Sequence, residues 1–179
     1  EYQRAVEADR TGVRRGAGAT THFEVTVTRL RNIQVFLAGE VAKPGAYQVS
    51  AVGTVLTALY AGGGPTPNGN FRRVEVRRGG MLVDSVDLYG YLLSGINRSD
   101  VQLQSGDVIF VPVHGPRAKV GGEVVRPAIY ELKPQETLRD LLQDAGGFGA
   151  NAARQRVQIH RVLPPESRQQ GRARVVVEV

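Results

Sequence analysis

The chain contains two copies of one sequence module. The segment VFLAGEVAKPGAYQVS at 35–50 recurs as KVGGEVVRPAIYELKP at 119–134, so that Gly122 corresponds to Gly39. We call the sequence separation of these two glycines the repeat offset. Two later segments also match. TVLTALYAGG (54–63) aligns with TLRDLLQDAGG (137–147), where the second copy has one inserted residue. RRVEVRR (72–78) aligns with QRVQIHR (155–161). Because a repeated segment marks one structural unit, the 179 residues are expected to form two small modules.

Within each copy the apolar pattern changes from strand-like to helix-like and back. A turn over residues 43–46 separates two short β-rich runs, with Pro44 and Gly45 at its centre. Helical spacing follows, and it predicts one buried helix face in each copy, formed by Val52, Val55, Leu56, Leu59 and Tyr60, and by Leu138, Leu141, Leu142 and Ala145. Thr137 is the expected N-cap of the second helix, and the glycines at 62–64 and 146–147 are expected to end the helices.

Strands complete each module. Their predicted inward residues are Val74 and Val76 in the first copy, and Val157 and Ile159 in the second. Only the first copy continues through a strand at 82–86, a short helix at 88–93, a turn at 105–107 and a closing strand at 108–112, whereas the second has one further strand at 174–179. This order predicts an α+β fold, a mixed sheet with one helix across a face.

The predicted domains are 1–32, 33–113 and 114–179, and the last is expected to be truncated before its closing strand. The first segment is expected to hold a helix end at 1–10 and a Gly/Ala linker at 12–19. Alternating apolar residues from Phe23 predict a strand that pairs back through a turn near Arg31 and Asn32.

No pattern in the sequence indicates an enzyme, a metal or a cofactor. There is no Cys, and His22, His114 and His160 lie far apart. Asp84 and Asp87 are interpreted as a strand residue and an N-cap. The glycine-rich run at 61–70 follows its helix, whereas a phosphate-binding loop precedes one and places the phosphate at the helix N-terminus. The run is therefore interpreted as a helix stop.

The net charge of +6 is distributed unevenly. Residues 35–113 carry six basic and six acidic residues, and 114–179 carry eleven and seven. Strand alternation places Arg73, Glu75 and Arg77 together on an outer surface, interpreted as a solvated or subunit-facing edge. The candidate contacts to a polysaccharide or a neighbouring subunit are Arg73, Arg77, Arg78 and Arg126. A lectin-like site is not expected, because the chain has no Trp and few aromatic residues, and Tyr47 and Tyr130 are interpreted as packing beside the turns.

The motifs GEV..PG.Y, T..L..AGG, [RQ]RV.[VI].R and GDVIFVP resemble the soluble-ligand-binding β-grasp (SLBB) domain. The tandem is similar to that of outer-membrane polysaccharide export proteins of the Wza type. This resemblance implies a non-enzymatic periplasmic scaffold, part of a protein anchored in the outer membrane. Its implied partners are copies of itself in a ring, the capsule or exopolysaccharide in transit, and the inner-membrane export machinery.

Two other functions remain open at this stage. Related β-grasp domains occur in DNA-uptake proteins, and the isoelectric point is about 10.1, so a nucleic-acid-binding module is an alternative, although a nucleic-acid partner is not expected. The family's name alone suggests a small-ligand receptor as a further alternative.

Overall fold

The computed structural model of the chain describes residues 31–96, 101–153, 157–163, 165–168 and 174–178. Its strands are β1 (Asn32–Gly39), β2 (Gly45–Ser50), β3 (Val74–Arg78), β4 (Met81–Val86), β5 (Val108–Val111), β6 (Arg117–Val120), β7 (Ala128–Glu131), β8 (Gln158–Val162) and β9 (Arg174–Glu178). Its helices are α1 (Val55–Ala61), α2 (Leu88–Ser94) and α3 (Leu138–Asp144), with a 3-10 helix at Pro165–Ser167. These elements confirm the predicted α+β class.

The first module is one five-stranded mixed sheet. Its strand order is β2-β1-β5-β3-β4, so β5, the last strand of this module, lies at the centre, parallel to β1 and antiparallel to β3. Helix α1 packs one face through Val55, Ala58 and Leu59. The predicted inward residues Val74 and Val76 are fully buried, as are Ile109 and Val111 of β5. The closing strand thus joins two hairpins over a single apolar core.

In the described residues the second module contains two hairpins in separate sheets and the helix α3. Strand β6 pairs with β7, and β8 pairs with β9. Among the described residues no strand bridges β6 and β8, and the repeat offset would place the counterpart of β5 after Val179. Of the residues that the structure describes, Tyr130, Leu141 and Ala145 form its buried apolar core, against fifteen such residues in the first module. The predicted inward residues Val157 and Ile159 are consequently only half-buried.

The two copies repeat their backbone contacts at the same offset. The N–H of Lys43 donates to the carbonyl of Gly62, and that of Arg126 donates to Ala145. Bridges at Val41 with Pro65 and at Val124 with Phe148 repeat the same shift. The predicted one-residue insertion is therefore wrong. Three successive glycines at 62–64 made the alignment ambiguous, and it is Gly63 and Gly64, both with φ near +80°, that correspond to Gly146 and Gly147.

The capping residues and glycines predicted the helix ends correctly, but the apolar spacing made the first helix start too early. Thr137 caps α3 through a reciprocal bond with Asp140, Asp87 caps α2, and the glycine-rich run ends α1 as predicted. Helix α1 begins only at Val55, so the expectation that Val52 and Tyr60 are buried is wrong. Their side chains are 63% and 65% exposed.

The predicted turn at Asn32 is also wrong, because Asn32 begins β1 and pairs with Ser50. The predicted helix end, linker and strand within 1–30 lie outside the described residues. None of the helices in the described part of the chain is long and apolar enough to cross a membrane.

Candidate functional site

Arg72 forms the centre of the junction between the two modules. It precedes β3 in the first module, yet its guanidinium contacts carboxylates of the second: Glu136 at 3.0 Å, and Asp144 at shorter range. Asp87 of the first module lies 3.5 Å from the same group. The Arg72 side chain is only 9% exposed, and its fork satisfies several acceptors at once, which a lysine could not do in this geometry.

Glu131 and Tyr89 form the floor of this junction. Nε of Arg72 donates to the Glu131 carbonyl at 3.2 Å, and the guanidinium stacks 3.7 Å above the centre of the Tyr89 ring. The Tyr89 hydroxyl accepts a bond from the Glu131 amide, and the Tyr89 ring packs edge-on against Tyr130. The Glu131 carboxylate accepts a bond from the Phe71 amide at 2.9 Å. Backbone and side chains of both modules are thus interlocked around one arginine.

Charged groups from both modules lie close together at the junction. Asp87 also pairs with Lys133 of the second module, so acids and bases from both modules alternate there. Burial raises the pKa of the Tyr89 phenol above its ordinary value of 10.0, and the hydrogen bond from the Glu131 amide, which acts in the opposite direction, does not cancel that effect. Tyr89 therefore stays protonated at physiological pH. Oε2 of buried Glu131 has no hydrogen-bond partner within the part of the chain that the structure describes.

The sequence patterns gave Arg72 no role of its own and did not indicate its partners. A signal was available in the differences between the copies. The second copy has Glu131, Glu136 and Asp144 where the first has Gln48, Gly53 and Ala61. Carboxylates that appear in only one of two copies cannot serve the shared fold, so they indicate a role specific to the second module, here the contact with Arg72.

Arg73 and Arg77 lie on the same sheet face as Glu75, as the alternation predicted. Glu75 is buried between them and pairs with Arg73 at 3.1 Å and with Arg77 at 2.6 Å. Arg77 also stacks over the ring of Phe110 at 4.6 Å. The interpretation of this ladder as a sheet edge is wrong, because β3 lies between β5 and β4. The two arginines belong to a sheet face, and each has a carboxylate partner.

Arg78 holds the closing strand in place. Its guanidinium makes a two-pronged pair with Asp107 at 2.8 and 2.9 Å, immediately before β5. Asp107 is fully buried and also accepts a bond from the Gln104 amide. Burial acts to raise the pKa of Asp107, but the hydrogen bonds and charge outweigh it, so that pKa lies below its ordinary value of 3.8. The structure thus places this candidate contact residue in an internal ion pair.

Arg126 lies at the turn of the second module. Its guanidinium donates to the Asp144 carbonyl at 3.1 Å, and its own carbonyl accepts a bond from the Tyr130 hydroxyl at 2.6 Å. Tyr47 makes the corresponding bond to Lys43 at 2.8 Å in the first module. The interpretation of both tyrosines as packing beside the turns is confirmed. Of the four candidate arginines, the fold brings only Arg73 and Arg77 together on one face.

The described residues contain no group of His, Cys, Asp and Glu side chains that could hold a metal ion. An open cleft beside the junction is lined by Arg72, Asp87, Tyr89, Lys133 and Asp144. Arg72, Asp87, Lys133 and Asp144 pair with one another, so this arrangement is suited to joining the modules.

Comparison with protein-family models matches the SLBB domain to this chain twice, at residues 34–106 and 117–177. Together the two matched segments cover well over half of the chain. Their starting points, 34 and 117, are separated by the repeat offset that the backbone contacts also follow.

Proposed function

Because the chain belongs to the SLBB domain family, a family of ligand-binding domains, we propose that it is the periplasmic scaffold of a capsule or exopolysaccharide export protein. In this role the tandem connects copies of an outer-membrane-anchored protein into a ring and holds them around the polymer. The chain itself performs no chemistry. The polymer and the inner-membrane export machinery are its partners.

The observation that carries this proposal is the junction at Arg72. A scaffold must hold its modules in one relative orientation, and a buried arginine that contacts Glu131, Glu136 and Asp144 across the junction supplies that constraint. In some proteins a buried polar or ionic group specifies one arrangement among alternatives, and we propose this role for Arg72. A polymer in transit must also be released, and weak contacts suit that requirement.

The distribution of arginine partners favours a scaffold over a nucleic-acid module. Arg72, Arg73, Arg77 and Arg78 each form an ion pair with a carboxylate. Nucleic-acid affinity depends on cations that are available to neutralise phosphates. A guanidinium already paired with an internal carboxylate must break that pair first, so the high isoelectric point overstates the charge available to a polyanion.

The export role is tested by deleting the gene in its own organism and measuring surface polysaccharide. We expect loss of the polymer, restoration by the unchanged gene and by a variant at exposed Arg139, Arg139→Ala, and failure of restoration by Arg72→Glu. Unchanged polysaccharide in the deletion strain would refute the role.

Two binding measurements separate the alternatives. Duplex DNA titrated at low salt is expected to give no binding, whereas binding that weakens steeply as salt rises would favour the DNA-uptake function. Calorimetry with short glycan fragments tests the receptor function, and saturable binding at one site would favour it over the scaffold.

A further inference from the structure

The open cleft beside the junction is large enough to hold a small molecule. Its volume is about 400 Å³, and small-molecule sites range upward from about 300 Å³. Residues of β4 and α2 form most of its wall, and Lys133 and Asp144 of the second module complete it. An occupant of the cleft would therefore contact both modules.

One carboxylate in the wall of the cleft, that of Asp84, has no basic partner within the part of the chain that the structure describes. The other two, Asp87 and Asp144, each pair with Arg72. The Asp84 carboxylate accepts a hydrogen bond from the amide of the adjacent Ser85 at 2.7 Å. Asp84 is half-buried, so its carboxylate has lost part of its hydration without gaining an ion pair.

Negative charge is in excess around the cleft. Of the described basic side chains, only Arg72 and Lys133 pair with the carboxylates of the cleft wall and the adjoining junction. Those carboxylates number five and belong to Asp84, Asp87, Glu131, Glu136 and Asp144. A surface concavity lined by an excess of one charge attracts ligands of the opposite charge. The cleft is therefore suited to a cation.

Apolar side chains beside Asp84 indicate what kind of cation fits. Val86 follows Asp84 by two positions in β4, so both lie on one face of the sheet. Leu93 of α2 and Ile96 just after it also line the cleft, and Ile96 is 49% exposed. A bare metal ion would need several oxygen ligands, and the described residues offer no such group. An organic cation, in contrast, can use the carboxylate and the apolar surface together.

We propose that this cleft binds a small organic cation, a primary ammonium group attached to an apolar body. The ammonium group pairs with Asp84, and the apolar body packs on Val86, Leu93 and Ile96. The site is independent of the export role, because neither its chemistry nor its test involves the polysaccharide.

The probe is cyclohexylamine, titrated into the whole protein near neutral pH and followed by the amide chemical shifts in nuclear magnetic resonance spectra. We expect saturable shifts for Asp84–Val86 and for α2, with a dissociation constant of about 1 mM. Cyclohexanol, which is uncharged, and cyclohexanecarboxylate, which is an anion, should bind at least about tenfold more weakly. Equal binding of cyclohexanol and cyclohexylamine would overturn the proposal.

Two pairs of variants locate the site. Asp84→Asn should weaken cyclohexylamine binding about tenfold, whereas Glu123→Gln, which neutralises an exposed carboxylate outside the cleft wall, should leave it unchanged. Leu93→Ala should weaken binding about fivefold by removing apolar contact, whereas Leu92→Ala, a change at the adjacent residue outside the cleft wall, should have little effect. Circular dichroism shows whether each variant keeps the fold of the parent chain.

Three further results would each show that the proposal is wrong. They are the absence of saturable shifts up to about 50 mM amine, equal binding by Asp84→Asn and the unchanged protein, and shifts confined to residues outside the cleft. A short peptide with one lysine, blocked at both ends, completes the test. If the peptide shifts the amides of the cleft and cyclohexylamine does not, the cleft receives a side chain of a protein partner and no small cation.

Discussion

Replacing Arg72 by alanine should weaken the second module more than the first. The change removes a guanidinium that contacts three carboxylates, the Glu131 carbonyl and the face of Tyr89. Breaking a fully buried pair costs about 3–5 kcal/mol. The side chains of Asp87, Glu136 and Asp144 are 29%, 12% and 24% exposed, so water can solvate them in part. We therefore expect the free energy of unfolding to fall by about 3 kcal/mol, the lower end of that range.

The assay is urea unfolding followed by circular dichroism, combined with hydrogen exchange resolved by residue. Amides of β7 and α3 should lose protection, while those of β1 and β5 should keep it, because the core of the first module is complete without the junction. Arg73→Ala is the matched control, since its side chain is 60% exposed and pairs with Glu75. It should cost less than about 1 kcal/mol. Equal losses for the two variants would refute the view that Arg72 joins the modules.

Three further predictions use positions shared by the two copies or next to the closing strand. Tyr130→Phe should cost about 1 kcal/mol in unfolding free energy and Tyr47→Phe less, because only Tyr130 is buried; a larger loss at Tyr47 would contradict this. The lowered pKa of Asp107 means that its stabilising contribution is complete above the unfolded value near 4 and is lost as the pH falls through the folded value below 3.8. Asp107→Asn should therefore make the urea midpoint of unfolding depend less on pH between about pH 5 and pH 3. An unchanged pH dependence would show that this pair does not control acid stability. Gly39→Ala should cost about 2 kcal/mol more than Gly122→Ala, since both strain a positive φ but only the first meets β5; equal costs by thermal unfolding would contradict that.

The repeat, the turns and the helix caps were predictable because they depend on short-range sequence. Thr137 and Asp87 act as caps through bonds to residues two or three positions away. The boundary of α1 was less predictable, because Val52 continues the apolar spacing while the capping box of Thr54 with Thr57 begins the helix after it. A periodic pattern cannot show where the first intrahelical hydrogen bond forms.

The junction could not be derived from local patterns, because its partners are far apart in the chain. Arg72 and Asp144 are separated by 72 residues. The stacking of Arg72 on Tyr89 depends on where the fold places α2 relative to Arg72. For the same reason Arg78 was expected as a surface contact, since nothing beside it in sequence indicated Asp107, 29 residues later. The difference in charge between the two copies was the one sequence signal that distinguished contacts between the modules from contacts within them.

The asymmetry between the modules explains why the second module depends on the junction. The first module closes its core with β5, and Ile109 and Val111 have no exposed surface. The second has no such strand among its described residues, so α3 and the β6–β7 hairpin rely on Tyr130, Leu141 and Ala145 together with the contacts to Arg72. Because so few apolar residues hold this core, the second module depends on the junction more than the first module does.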